Sequence, residues 1–208
     1  MTRRLLLVAV LLPVLLLEGC ATPDLRTVPE DRAAAWQLRQ QSLGNLQQWE
    51  MRARIAVRLG DDGGQASLHW NRQDRSNDMR LVGAWGRGLV RLSFNDTTAE
   101  LTDDTGRITS GEDAAELLYQ ATGWVIPVHS LRSWMTGMPV SDHAKTKVDR
   151  YGRTQRITES GWQVEYQEYQ QFGEWELPRR LQLSQMRAVN GEDRVSVRFV
   201  VNQWQVGS

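Results

Sequence analysis

Between Met51 and Leu101 apolar residues return at every second position, stop at a polar turn, and return again. Met51, Ala53, Ile55, Val57 and Leu59 alternate with Arg52, Arg54 and Arg58, the pattern of a strand with one dry and one wet face. Asp61-Asp62-Gly63-Gly64 is a hairpin signal, after which Ala66, Leu68 and Trp70 share a face. Asn71 to Asn77 reads as a polar turn, followed by Met79-Arg80-Leu81-Val82-Gly83. Val90, Leu92 and Phe94 alternate next, Asn95-Asp96-Thr97-Thr98 turns, and Ala99 and Leu101 precede Asp103-Asp104-Thr105-Gly106. Segments this short and this close in sequence make an antiparallel sheet.

Residues 110–139 interrupt the strands. Ser110 with Asp113 three residues on is a capping-box signature, Ala114 to Ala121 reads as helix, and Gly123 ends it. Trp124-Val125-Ile126-Pro127 crosses to a second short helix, Ser130 to Thr136, closed by Gly137 and Pro139. Strands resume near 145–150, 154–158, 162–167, 179–187 and 193–201, with Ser160-Gly161 and Asn190-Gly191 as tight turns and Trp204 in a short tail. Upstream, a helix is expected from Pro29. Its one narrow apolar stripe, Trp36, Leu43 and Leu46, suits a rod that covers something with a single face. The expectation is one α+β domain: a strongly curved antiparallel sheet of about eleven strands, an open or half β-barrel, capped by helices.

The first residues follow a different logic. Arg3 and Arg4 precede an apolar run from Leu5 to Leu17, the layout of a secretory signal peptide. The run is too short for the roughly 20 residues of a spanning helix. It ends in Leu17-Glu18-Gly19-Cys20, which resembles a bacterial lipobox, although Glu18 departs from the small or apolar residue usual there. Cys20 is the only cysteine, so it has no internal disulfide partner, and diacylglycerol attachment explains it. Acyl chains such as palmitate, at about 0.8 kcal/mol per buried CH₂, hold a protein on a bilayer. The expected division is a signal peptide over 1–19, a lipidated N-terminus and tether over 20–28, and a single domain over 29–208. Ala21 is not the Asp that resembles an inner-membrane retention signal, so the periplasmic face of the outer membrane is the expected location.

Basic and acidic residues number 25 each, and Arg3, Arg4 and Glu18 leave with the leader, so the mature chain stays near neutral. With no basic block, nucleic acid is not an expected partner, nor is recruitment to anionic lipid by charge alone. His69, His129 and His143 lack metal-ligand spacing, so no metal or other cofactor is expected beyond the acyl chains on Cys20. Gly83-x-x-Gly86-x-Gly88 lacks the Lys-Ser/Thr of a phosphate loop. No G-x-S-x-G is present, and the paired aspartates sit in turns. Nothing requires an enzyme. The outlier is tryptophan, with nine residues. Trp85, between Ala84 and Gly86-Arg87-Gly88, places a large ring on a glycine-flanked loop, which suits contact with a bilayer interface.

Gly123-Trp124-Val125-Ile126-Pro127-Val128-His129-Ser130-Leu131-Arg132-Ser133-Trp134 with Gly137-Met138-Pro139 resembles the central motif of the LolB family. Glu112 to Leu118, Trp36, Arg52 to Val57, Trp70 and Trp162-x-Val164-x-Tyr166 extend the likeness over nearly the whole mature chain. The resemblance implies an eleven-stranded half-barrel lidded by helices over an apolar cavity. It also implies a monomer that takes triacylated lipoproteins from a LolA-like periplasmic carrier and delivers them to the phospholipid of the outer membrane. Where the family usually has Pro-Leu-Gly with an exposed Leu, this chain has Ala84-Trp85-Gly86. The inward strand positions Ile55, Val57, Leu68, Trp70, Leu81, Leu92, Trp162, Val164 and Tyr166, with Leu118, Trp134 and Met135 from the helices, are the candidate lining of the acyl-chain cavity. Two other readings stay open: a module of similar fold that binds free lipid or senses envelope stress, and an envelope hydrolase.

Overall fold

A computed structural model describes residues 31–83, 88–185 and 195–207. The expected signal peptide, Cys20, Trp85 and the Asn190-Gly191 turn lie outside the described residues. The elements run α1 (Arg32–Gly44), β1 (Gln48–Leu59), β2 (Asp62–Gln73), β3 (Ser76–Gly83), β4 (Leu89–Phe94), β5 (Ala99–Thr102) and β6 (Ile108–Gly111). Next come α2 (Ala114–Thr122) and α3 (Val128–Trp134). The chain ends with β7 (Lys145–Val148), β8 (Thr154–Glu159), β9 (Trp162–Phe172), β10 (Trp175–Gln185) and β11 (Val195–Val206).

All eleven strands form one antiparallel sheet in the order β6-β5-β4-β3-β2-β1-β11-β10-β9-β8-β7. The order is that of two meanders joined by β1 against β11, with β6 and β7 as open edges. Register shifts at Arg52/Ala53, Lys147/Val148 and Pro178/Arg180 mark bulges, which bend a sheet and increase its twist. The bend brings side chains from opposite flanks, Leu101 on β5 and Ile157 on β8, into one apolar cluster under the helices. The buried apolar side chains run from Ala35 to Trp204, so among the described residues the core is complete without the leader.

Several boundaries differ from expectation. Asn71 to Asn77 is mostly strand. The turn is only Asp74-Arg75, and Asn77 is buried, accepting a hydrogen bond from Trp70 Nε1 at 3.2 Å. Ser110 lies in β6, a short exposed edge strand without alternation, and the cap of α2 is Asp113 itself. Its carboxylate accepts from Ala115 N at 2.8 Å. α3 starts two residues earlier than expected because Pro127 and Val128 already turn, and Met135 is its C-cap. β9 and β10 extend to a tip at Gly173, whose φ of +61° meets the turn's backbone demand. Trp204 is not in a tail. It is buried in β11, its ring 5.1 Å from that of Trp49. On α1 the buried positions are Ala35 and Leu43, while Trp36 is half-buried and Leu46 falls beyond the helix.

Candidate functional site: the apolar concave face and its lid

Alternation places Ile55 and Val57 of β1, Leu68 and Trp70 of β2, Leu81 of β3 and Leu92 of β4 on the same side of the sheet. Trp162, Val164 and Tyr166 of β9 face the same space from the other flank. Leu118 of α2, Trp134 of α3 and Met135 come down onto it. All twelve candidate lining residues therefore join one cluster. Trp70, Leu92, Leu118, Trp134, Met135 and Val164 show 0% exposure. A water molecule reaches none of these six from outside or from within, so the interior is shut around them in this conformation.

The segment that shuts it, α2 and α3 with their connections, is fastened at three places. On one side Arg132 donates to Asp96 in the β4–β5 turn at 2.7 Å, and this pairing holds the Asp96 carboxyl below its ordinary range. At the hairpin between β1 and β2, the Trp124 ring fills the space over Gly64. A Cβ there would lie 2.7 Å from a ring carbon. On the far side Trp134 donates its Nε1–H to Glu159 Oε2 at 3.0 Å, while its carbonyl accepts from Tyr166 Oη at 2.7 Å.

Glu159 was not among the residues expected from sequence. It ends β8 at 8% exposure and accepts two further hydrogen bonds, from Val140 N at 3.0 Å and Ser141 N at 2.7 Å. Burial disfavours its charge, but the donors from Val140, Trp134 and Ser141 outweigh burial and lower its pKa. One carboxylate thus gathers the end of α3 and the loop after it onto the sheet. Burial pushes the Tyr166 hydroxyl well up, so it stays protonated and can keep donating. The sequence signal was slight: an acid in a strand position that should face inward.

An aromatic row closes the same space at the β2–β3 end. Trp204, Trp49 and Trp70 succeed one another at 5.1 Å between centroids, edge to face. Phe94 continues the row at 6.4 Å from Trp70, and the His129 ring of α3 meets Phe94 at 5.4 Å. Such pairs add about 0.5–1.5 kcal/mol each beyond burial. α1 lies elsewhere, on the β7–β10 flank. Its Arg39 guanidinium stacks 5.2 Å from the Tyr169 ring and pairs with Glu176 at 3.7 Å. Gly152 lets the β7–β8 turn approach α1, since a Cβ there would sit 2.5 Å from the Ala35 carbonyl.

Among the described residues no group of three or more His, Cys, Asp or Glu is placed to hold a metal ion. None of the described helices is long and apolar enough to cross a membrane. The arrangement is a continuous dry face beneath a cover that buries Leu118, Val128, Leu131 and Trp134 against it and is tied to the sheet by a handful of polar contacts.

A family model described as outer membrane lipoprotein LolB matches residues 47–204. The outer-membrane lipoprotein LolB of Pseudomonas paraeruginosa is 32% identical over 194 residues, covering 91% of both chains. The protein of the same name from Alkalilimnicola ehrlichii is 33% identical over 197 residues, covering 94% of both. Among solved structures, a LolA superfamily protein from Nitrosomonas europaea superposes with a TM-score of 0.52 at 7% identity, over 85% of this chain and 94% of that one. A DUF1329 family protein from Desulfovibrio piger gives 0.52 at 5% identity, over 84% and 92%. At such identities the two structures share the fold with this chain.

Proposed function

The chain belongs to the LolB family of outer-membrane lipoproteins, and from that premise we propose that it receives lipoproteins from a LolA-like periplasmic carrier and passes them to the outer membrane. Their acyl chains would lie on the concave face, against Ile55, Val57, Leu68, Trp70, Leu81, Leu92, Trp162, Val164 and Tyr166, with Leu118, Trp134 and Met135 above them. The observation that supports this reading is the shut apolar interior beneath a cover tied down by Asp96, Glu159 and Tyr166. A lipid tail that enters replaces one set of apolar contacts with another, so opening the cover is the main cost of loading.

No nucleotide is needed in this scheme. Acyl chains removed from water gain about 25 cal/mol per Å² of apolar surface, and a bilayer shelters them as completely as a protein interior. Transfer runs downhill if the final membrane holds the tails more tightly than this chain does. In the same reading Cys20 carries the lipid anchor, Trp85 meets the bilayer at the step of delivery, and the domain acts as a monomer.

The test is reconstituted transfer. Lipoprotein bound to the carrier is mixed with this protein, then with phospholipid vesicles, without nucleotide. Movement of the lipoprotein into vesicles only when this protein is present supports the proposal. Transfer that proceeds equally without it, or retention of the cargo on the carrier, refutes it.

A further inference from the structure

The convex face of the sheet carries a feature that no local stretch of sequence contains. Strand register sets Arg52 opposite His69, His69 opposite Arg80, and Arg80 opposite Arg91, one cationic or titratable group on each of four adjacent strands. At about 4.8 Å between strands, the row spans about 14 Å. Arg54 stands two residues along β1 from Arg52 on the same face, exposed like Arg80 and Arg91. Arg52, Arg54, Ser67, His69, Arg80 and Asn202 border a shallow depression of about 500 Å³.

Carboxylates are present but set to one side. Glu50 lies 2.7 Å from His69 Nε2 and 3.7 Å from Arg52, and Glu50, Asp78 and Glu100 belong to the next row toward the β2–β3 turn. On the other flank Arg156 and Arg180 are paired with Glu165 and Glu168. Among the described residues no carboxylate lies within ion-pair distance of Arg54, Arg80 or Arg91. Like charges directly across a strand pair destabilise a sheet, so folding does not account for Arg80 opposite Arg91.

We propose that this convex band binds the phosphate groups of an anionic phospholipid surface. Guanidinium forks take phosphate oxygens in pairs, and the side chains reach out from a sheet too polar here for an apolar partner. The occupant follows from charge and from reach. Residues 21–30 separate Cys20 from the first described residue, and at about 3.5 Å each they span at most about 35 Å. The inference rests on the reading of Cys20 as the anchor, which keeps the domain within that distance of a bilayer. Docking by the convex face would leave the lid side turned toward an incoming carrier.

Residues 21–208, which include every buried apolar side chain of the described part, isolate the effect from the anchor. The protein is floated with phosphatidylcholine vesicles with and without phosphatidylglycerol, at about 0.05 and about 0.5 M salt, where screening lengths are about 14 and about 4 Å. Binding is expected only with phosphatidylglycerol at low salt. Each of Arg54→Gln, Arg80→Gln and Arg91→Gln is expected to weaken it about fivefold, with no loss of thermal stability. Arg107→Gln, away from the band, should have no effect. Insertion through Trp85 alone would give equal binding to both vesicle types and would overturn the proposal, as would a triple variant that binds like the parent. Binding to polyglutamate but not to vesicles would make the partner an acidic protein and equally refute a lipid surface. None of these outcomes depends on lipoprotein transfer, so they stand apart from the test of that reading.

Discussion

Replacing Glu159 by Gln should loosen the cover without altering the shape of its socket. The native carboxylate accepts from Trp134 Nε1, Val140 N and Ser141 N, all within 3.0 Å. A Gln side chain keeps one accepting oxygen and turns two N–H donors toward groups that also donate. At least one buried donor loses its partner, at about 1–3 kcal/mol, and the bonds that remain lose charge assistance. The sum is about 2–4 kcal/mol. For a domain of this size each kcal/mol moves the melting temperature by about 2–4 °C, so Tm should fall by about 4–16 °C. The pH dependence carries a sign. A carboxylate with a depressed pKa stabilises the fold above its unfolded value, near about 4.3, and loses that contribution as pH falls through the lower folded value. The native protein and the Gln variant should therefore differ by a constant amount above about pH 5 and converge on acidification below about pH 4. Thermal melts across that range, with uptake of a fluorescent fatty-acyl probe measured alongside, give both readouts. The variant should load the probe faster. A Tm shift under about 2 °C at pH 7 would refute the assignment of Glu159 as the tie, as would a gap between the two proteins that stays constant down to pH 3.

Cys20 should carry diacylglycerol at a mature N-terminus, and mass spectrometry that finds a free thiol or cleavage elsewhere refutes the anchor. Trp85→Glu should change stability by under about 0.5 kcal/mol, accept cargo from the carrier, and fail in delivery to vesicles. A loss of about 3–5 kcal/mol would place that ring in the core instead. Gly152→Ala should cost at least about 1–2 kcal/mol from its left-handed φ of +73° alone, with a further clash against the Ala35 carbonyl. Limited proteolysis should then show α1 released first.

Much of the sheet was legible because its code is local. Alternation from Met51 to Leu101 told which side chains of β1–β5 share a face, and all twelve candidate lining residues do meet in one cluster. Alternation says nothing about whether that face is hollow, and only packing reveals that Trp70, Leu92 and Trp134 have no free surface. Strand β6 escaped notice because an exposed edge needs no apolar period, and Trp204 because Gln203 and Gln205 around it read as a polar end. The role of Glu159 as a tie could not have been read locally. Its donors sit 18 to 25 residues away, and only the fold brings them to one carboxylate. The same holds for the convex row, where the cations of four strands are adjacent in space and separated in sequence. The expectation that charge alone would not draw the chain to anionic lipid rests on net charge and the proposed convex band on register, and the vesicle experiment decides between them.

In the proposed function, acyl chains enter the space beneath α2 and α3. A lipoprotein bearing a photoreactive group near the end of one acyl chain, loaded through the carrier and then irradiated, reports its neighbours directly. Adducts are expected on Leu68, Leu81, Leu92, Trp134 and Tyr166. Adducts confined to the convex strands or to the outer side of α1, with the concave residues unlabelled, would contradict it.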